Sequence, residues 1–270
     1  MATADDQAAA VALLGGDPAA FDALLSTLMS SSNNERAAAE AAFHRLRASH
    51  PEPLALRLAS SLAGPATPAE LRAMAGVLLR KVLSPPPSSD SSSNSGAAAP
   101  PAPLWPQLSP AGQSALKAHL ISALQSDPPK PIAKKVCDAI SELAATLLPE
   151  NTWPDLLPFL FRAASGPETP NLQESALLIF ARLADYIAEV APGPSHDNPQ
   201  PARLPPWHTR RPPDVRIAAL GAAVNLVQCL PTNSDRDKMQ DLLPAMMRAL
   251  TDCLNSWPGG LCTGGSGAPC

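Results

Sequence analysis

An all-α fold of helix pairs repeated along the chain is what this sequence predicts, and three observations predict it. The composition is 45% hydrophobic but only 4% aromatic, with one Tyr in 270 residues. Ala and Leu, the best helix formers, dominate it, while the residues favoured in strands are scarce. Apolar residues recur at i, i+3, i+4 and i+7, the spacing of one buried helical face. Most of the 33 prolines fall between such segments or in a helix's first turn, where the missing N–H costs nothing.

The helices follow in order. Asp17-Pro18 opens the first, with Phe21, Leu24, Leu25 and Leu28 on one face. Asn33 and Asn34 are the expected caps of the next, which ends before Pro51. After Pro53, Leu54, Leu58 and Leu62 share a stripe that Gly64-Pro65 ends. Thr67 with Glu70 fits the capping-box pattern ahead of ELRAMAGVLLRKVL. Ser109-Pro110 starts a helix, another follows Pro128-Pro129, Trp153-Pro154 starts the segment DLLPFLFRAAS, and Thr169-Pro170 starts NLQESALLIFARLADYIAEV. PDVRIAALGAAVNLVQCL and SDRDKMQDLLPAMMRALTDCLN form a later pair.

The second members of the pairs resemble one another at Arg36-AAA, Arg72-AMA, Lys134-KVC, Gln173-ESA and Arg216-IAA, at spacings of 36, 62, 39 and 43 residues. Allowing for an insert of about 20 residues in the second interval, the period is about 40, with two helices per unit: a HEAT- or armadillo-type α-solenoid of about five to six helical hairpins. The competing architecture is an irregular helical bundle. The expected layout is a flexible N-terminus over 1–16, repeats one to four over 17–190, a proline-rich irregular stretch over 191–212, remaining repeat helices over 213–256 and a low-complexity tail over 257–270. Within the repeats, 84–103 has too little apolar content to repay ordering and reads as a disordered loop.

Net charge of −4 and a pI near 5.7 argue against a nucleic-acid backbone as the main partner. The N-terminus shows no secretory pattern, and no stretch approaches a membrane-spanning length of apolar residues. Five scattered cysteines without metal spacing suit a reduced, intracellular protein. None of the five histidines stands in a recognisable catalytic motif, and phosphate-loop, dinucleotide, GxSxG and HExxH motifs are absent. Expected catalytic, metal and cofactor sites are therefore none. Cys137 and Cys229 lie on apolar helix faces and read as buried free thiols.

LRAMAGVLLRKVL (71–83), KKVCDAISELAATLLPE (134–150), WPDLLPFLF (153–161), LQESALLIFARLADYI (172–187), PDVRIAALGAAVNLVQCLP (213–231) and DLLPAMMRAL (241–250) together resemble the N-terminal repeats of the importin-β (karyopherin-β) family, in its importin-five branch. The resemblance implies a nuclear transport receptor: one that binds cargo carrying a nuclear localisation signal, phenylalanine-glycine nucleoporins and the GTPase Ran in its GTP form. It implies a binding scaffold and not an enzyme, a monomer, moving between cytoplasm and nucleus, of which this chain holds the first repeats only. The alternative is another HEAT or armadillo scaffold, such as a phosphatase regulatory subunit or assembly platform. It would bind neither Ran nor nucleoporins.

The chain departs from the pattern twice. Residues 192–212 occupy the place of a fifth repeat's first helix but are proline-rich. They are either a real loop or a reading-frame slip. Reading Pro192–Pro201 one nucleotide later permits Leu-Asp-His-Leu-Met-Thr-Ile-His-Asn-Leu, which has helical spacing. The glycine-rich tail is either a flexible end or a mis-joined exon.

The expected partner-binding residues are Arg72, Arg80, Lys81, Lys134 and Lys135, cations on second helices that could face the concave side; a solvated helix edge is the plainer reading. Trp153 reads as a wedge between repeats. Phe159, Leu160 and Phe161 lie on a helix of the kind expected to form nucleoporin grooves, though packing within the repeat accounts for them too.

Overall fold

The computed structural model describes residues 12–15, 17–84, 102–165, 169–186 and 212–229. Among them every regular element is helical, as the composition requires. The chain divides into two compact units, 1–147 and 148–270.

The first unit contains α1 (Pro18–Leu28), α2 (Asn33–Ser49), α3 (Pro51–Ala63), α4 (Ala69–Leu83), α5 (Pro110–Gln125) and α6 (Lys130–Leu147). They form three hairpins, α1–α2, α3–α4 and α5–α6, stacked in register: α3 packs on α5, the first member of the next pair, and α4 packs on α6, the second. Each helix buries one stripe, and the leucines at 54, 58 and 62 predicted for α3 are fully buried. Arg57 reaches from α3 over the Phe21 ring of α1 at 5.6 Å, a cation–π contact between consecutive first helices.

Proline and short polar side chains set the helix starts. Asp17 Oδ1 accepts from the Ala19 N–H at 2.9 Å, and Ser109 Oγ accepts from Gly112 N–H at 3.1 Å, so the first-turn prolines follow real caps. Two predicted caps differ. At α2 the cap is Ser32, whose Oγ takes the Glu35 N–H, and Asn33 is already helical. At α4 the cap position is Pro68, with no side-chain bond; Thr67 sits instead in the preceding turn, its N–H donating to Gly64 O at 3.2 Å. The proline fixes the extended entry backbone by itself, so the capping box predicted from Thr67 and Glu70 does not form. The α5–α6 turn places Asp127 at φ 52°, a left-handed conformation that Asp tolerates better than most residues.

Residues 102–109 return to the repeats as a strap. Arg47 of α2 donates to Ala102 O at 2.8 Å, and Leu104 N–H donates to Val82 O at the end of α4 at 2.9 Å. Leu104 itself is fully buried. The Glu52 carboxylate of α3 accepts from Ser109 N–H at 2.6 Å, at the mouth of α5, where an anion complements the helix dipole. Because Glu52 and Ser109 both mark helix starts, α3 and α5 run parallel. Gly112 belongs to the same device: a Cβ there would lie 2.5 Å from the Glu52 carboxylate carbon.

The second unit contains α7 (Leu156–Ser165), α8 (Pro170–Arg182) and α9 (Pro213–Cys229). α7 and α8 form a hairpin, capped at α8 by Thr169 Oγ1, which accepts from Leu172 N–H. α8 ends at Arg182 with Leu183 as its cap residue, helical residues resume over 184–186, and the rest of the run read to Val190 lies outside the described residues. α9 packs on α8, and Asn225 Nδ2 donates to Ala181 O at 2.9 Å. Gln173-ESA and Arg216-IAA, read as equivalent second helices, are thus neighbours. The proline-rich stretch at 192–211, the predicted helix at 234–255, the loop at 85–101 and the tail lie outside the described residues.

Candidate partner-binding face

The α4–α6 seam holds the predicted cations, and its geometry follows from a glycine. A Cβ at Gly76 would meet Lys135 Cβ at 2.8 Å and Leu62 Cδ1 at 3.2 Å, so the bare Cα lets α6 approach closely. Further along, Arg80 Nε lies 3.8 Å from Glu142 Oε2. Contacts 76–135 and 80–142 advance in the same direction on both helices, so α4 and α6 are parallel.

For two parallel helices, the residue after a contact position on one and the residue before a contact position on the other project to the same side of the seam. Here these are Val77 and Lys81 on α4 and Lys134 and Ser141 on α6; the first three are exposed, Val77 at 44%, and Ser141 is buried. The opposite side carries Ala75, Leu79, Val136 and Leu143, all buried toward the first helices. The seam therefore presents an open face with an apolar centre and ammonium groups beside it. Lys81 and Lys134 make no ion pair among the described residues, so their charge is available to an incoming anion. Lys135 lies 3.9 Å from Asp138, and the Arg80–Glu142 pair is half exposed. Such pairs contribute about 0–1 kcal/mol and are readily exchanged.

Arg72 is placed differently from the other four cations. It is 7% exposed, and its Nε donates to Leu62 O at 3.0 Å, one of the carbonyls left open at the end of α3. Desolvation draws its pKa below the ordinary arginine value. It ties the α3–α4 hairpin from within and offers no free guanidinium, a departure from the predicted partner-facing role. The residues that sequence reasoning missed are Glu142, Val77 and Gly76. The last had a signal: an interior helix glycine costs about 1 kcal/mol against Ala and calls for a packing reason.

In the second unit Trp153 is buried, as are Phe159 and Leu160, whereas Phe161 is 41% exposed. Its ring lies 4.8 Å from Phe180 of α8, tilted by 52°. Cys137 is buried, as expected. Cys229 differs. It is only half-buried, at the end of α9, and its thiol hydrogen-bonds Asp185, whose carboxylate, with desolvation second, raises the thiol pKa.

Parallel stacking of helical hairpins is shared with proteins of known architecture. Residues 129–257 match the family model described as IPO5-like, TPR repeats. Over those residues the chain is similar to importin-5-like repeats. Its helix pairs recur at HEAT-like intervals of about 40 residues, longer than the 34 of an ordinary TPR unit. It is 28% identical over 152 residues to a probable importin-5 homolog of Dictyostelium discoideum, a match that covers 55% of this chain and 14% of that protein. Two solved structures show the same fold. Kap121p bound to RanGTP has a TM-score of 0.63 at 22% identity, over 86% of this chain and 19% of that one. Yeast importin-beta, Kap95p, has 0.65 at 18% identity, over 88% and 29%. The chain therefore spans only a small part of the length of the relatives it matches.

Proposed function

We propose that this chain is the first part of an importin-β-type nuclear transport receptor and that its α4–α6 face binds Ran in the GTP form. The observation that carries the reading is the seam itself: Val77, Lys81 and Lys134 stand on one open side of two parallel second helices, in a chain of importin-5-like repeats. An exposed apolar residue flanked by ammonium groups with no ion pair among the described residues suits a protein partner with a carboxylate-rimmed contact surface. Arg80 and Lys135, whose present pairs are weak, can re-pair with such a partner. The Kap121p–RanGTP structure supports this reading through its shared fold. The whole protein's part would be that of a scaffold, not an enzyme. It would carry cargo with a nuclear localisation signal between cytoplasm and nucleus, and phenylalanine-glycine nucleoporins would engage exposed aromatic surface such as Phe161.

The test is titration of the chain with Ran loaded with a slowly hydrolysed GTP analogue or with GDP. Tighter binding of the GTP form is expected, weakening as salt rises. Replacing Lys81 and Lys134 together by Glu should weaken it by at least about tenfold, the scale of two like-charge contacts. Equal affinity for both nucleotide forms, or indifference to the double substitution, would sink the assignment.

A further inference from the structure

We infer that Glu142 is the selectivity residue of the α4–α6 face: by engaging Arg80 and repelling phosphate chains it keeps polyanions off, and so reserves the face for a folded protein partner. The second half rests on the proposed partner reading; the exclusion of polyanions does not.

The chain carries a net charge of −4, yet this seam is locally cationic. Arg80 and Lys81 on α4 and Lys134 and Lys135 on α6 lie along two parallel helices. The helices are close, since a Cβ at Gly76 would meet Lys135 Cβ at 2.8 Å. Cations gathered in this way attract any chain of phosphates, which binds by releasing counterions and needs no particular shape. Two α6 carboxylates work against that. Asp138 lies 3.9 Å from Lys135 within the same helix, whereas Glu142 Oε2 reaches across the seam to within 3.8 Å of Arg80 Nε on α4.

Folding stability gives little reason for Glu142. Its pair with Arg80 is long, with the arginine side chain 54% and the glutamate 29% exposed, and exposed pairs of this kind contribute little. Asp138 stands four residues before Glu142 on α6, and like charges at that spacing repel each other. What Glu142 does change is the field of the seam. A phosphate chain brings several charges within screening distance of its carboxylate, while a carboxylate-rimmed protein surface brings one or two. The same glutamate therefore penalises the chain more. A protein partner also covers Val77, 44% exposed, and that apolar contact offsets the loss of the Arg80–Glu142 pair. Selectivity is the difference between the two affinities.

Anisotropy titration of the full chain with a fluorescein-labelled oligothymidylate tests the exclusion. Glu142→Gln keeps the size of the side chain and removes its charge. It should bind the oligonucleotide about tenfold more tightly than the unaltered chain at low salt. Its plot of log affinity against log salt should steepen by about 0.7, the worth of one added phosphate contact on a single strand. Glu40→Gln is the control: it frees Arg36 on α2 from a pair of 3.9 Å, changes net charge equally, and should leave oligonucleotide binding as it was. In an Arg80→Gln background Glu142→Gln should gain less, because the cation it releases is gone. Equal gains from the two glutamate variants, or an undiminished gain without Arg80, overturn the inference. Ran loaded with a GTP analogue should gain less from Glu142→Gln than the oligonucleotide does; an equal or larger gain defeats the selectivity part. If the unaltered chain ignores Ran, the proposed function fails, while the oligonucleotide titrations still decide for or against Glu142.

Discussion

Arg72 and Lys81 lie nine positions apart on one helix, and the difference in their surroundings makes opposite predictions. Arg72→Ala leaves the Leu62 carbonyl buried without its donor, which should cost about 1–3 kcal/mol of stability. Lys81→Ala removes an exposed charge and should change stability by less than about 0.5 kcal/mol; urea unfolding of the two variants checks both. Gly76 is equally exacting, because Gly76→Val must push against Lys135 Cβ and Leu62; overpacking of this kind costs about 1–3 kcal/mol. At Cys229 the carboxylate of Asp185 favours the protonated thiol. The folded pKa is thus raised above the unfolded value. Any stability from this bond is present below the unfolded thiol pKa and is lost as pH rises through the folded one. Alkylation of Cys229 by iodoacetamide, followed by peptide mass spectrometry, should therefore need a higher pH than an ordinary cysteine does. Asp185→Asn should lower that pH; an unchanged profile would contradict the contact.

The helices themselves were largely legible, because propensity and apolar spacing are local properties that tertiary packing reinforced. Their ends were less so. Ahead of α2, Ser, Ser, Asn and Asn in succession all cap well, and only the backbone decides for Ser32 over Asn33. Thr67–Glu70 matched a capping pattern that Pro68 made redundant. This gives an element-scale prediction: Ser109→Ala should destabilise by about 1 kcal/mol, the usual worth of an N-cap, and Thr67→Ala by clearly less, as read from thermal melts. In the candidate face, the lysines at 81 and 134 could be named in advance as cations on second helices. Their common side could not, since it depends on α4 and α6 being parallel and in register. The surroundings of Arg72 are hidden in the sequence for the same reason: its charge is visible there, but the open end of α3 that captures it is a product of the hairpin angle.

At the scale of the molecule, stacking makes each repeat depend on its neighbours rather than on distant parts of the chain. That is why similar helix pairs can recur in much longer relatives while this chain matches 14% of one of them. It also separates the integrity of the first unit from the continuity of its backbone. The stretch between Ser84 and Ala102 is bypassed by direct packing of α3 on α5 and α4 on α6, and by the Arg47, Val82 and Glu52 bonds to the strap. A protease cut placed within 85–101 should accordingly leave two pieces that co-elute on gel filtration. The same feature makes this a natural point for splitting a reporter assay: residues 1–84 and 102–147, made as separate polypeptides, would be expected to find each other and reconstitute the layer without a covalent link.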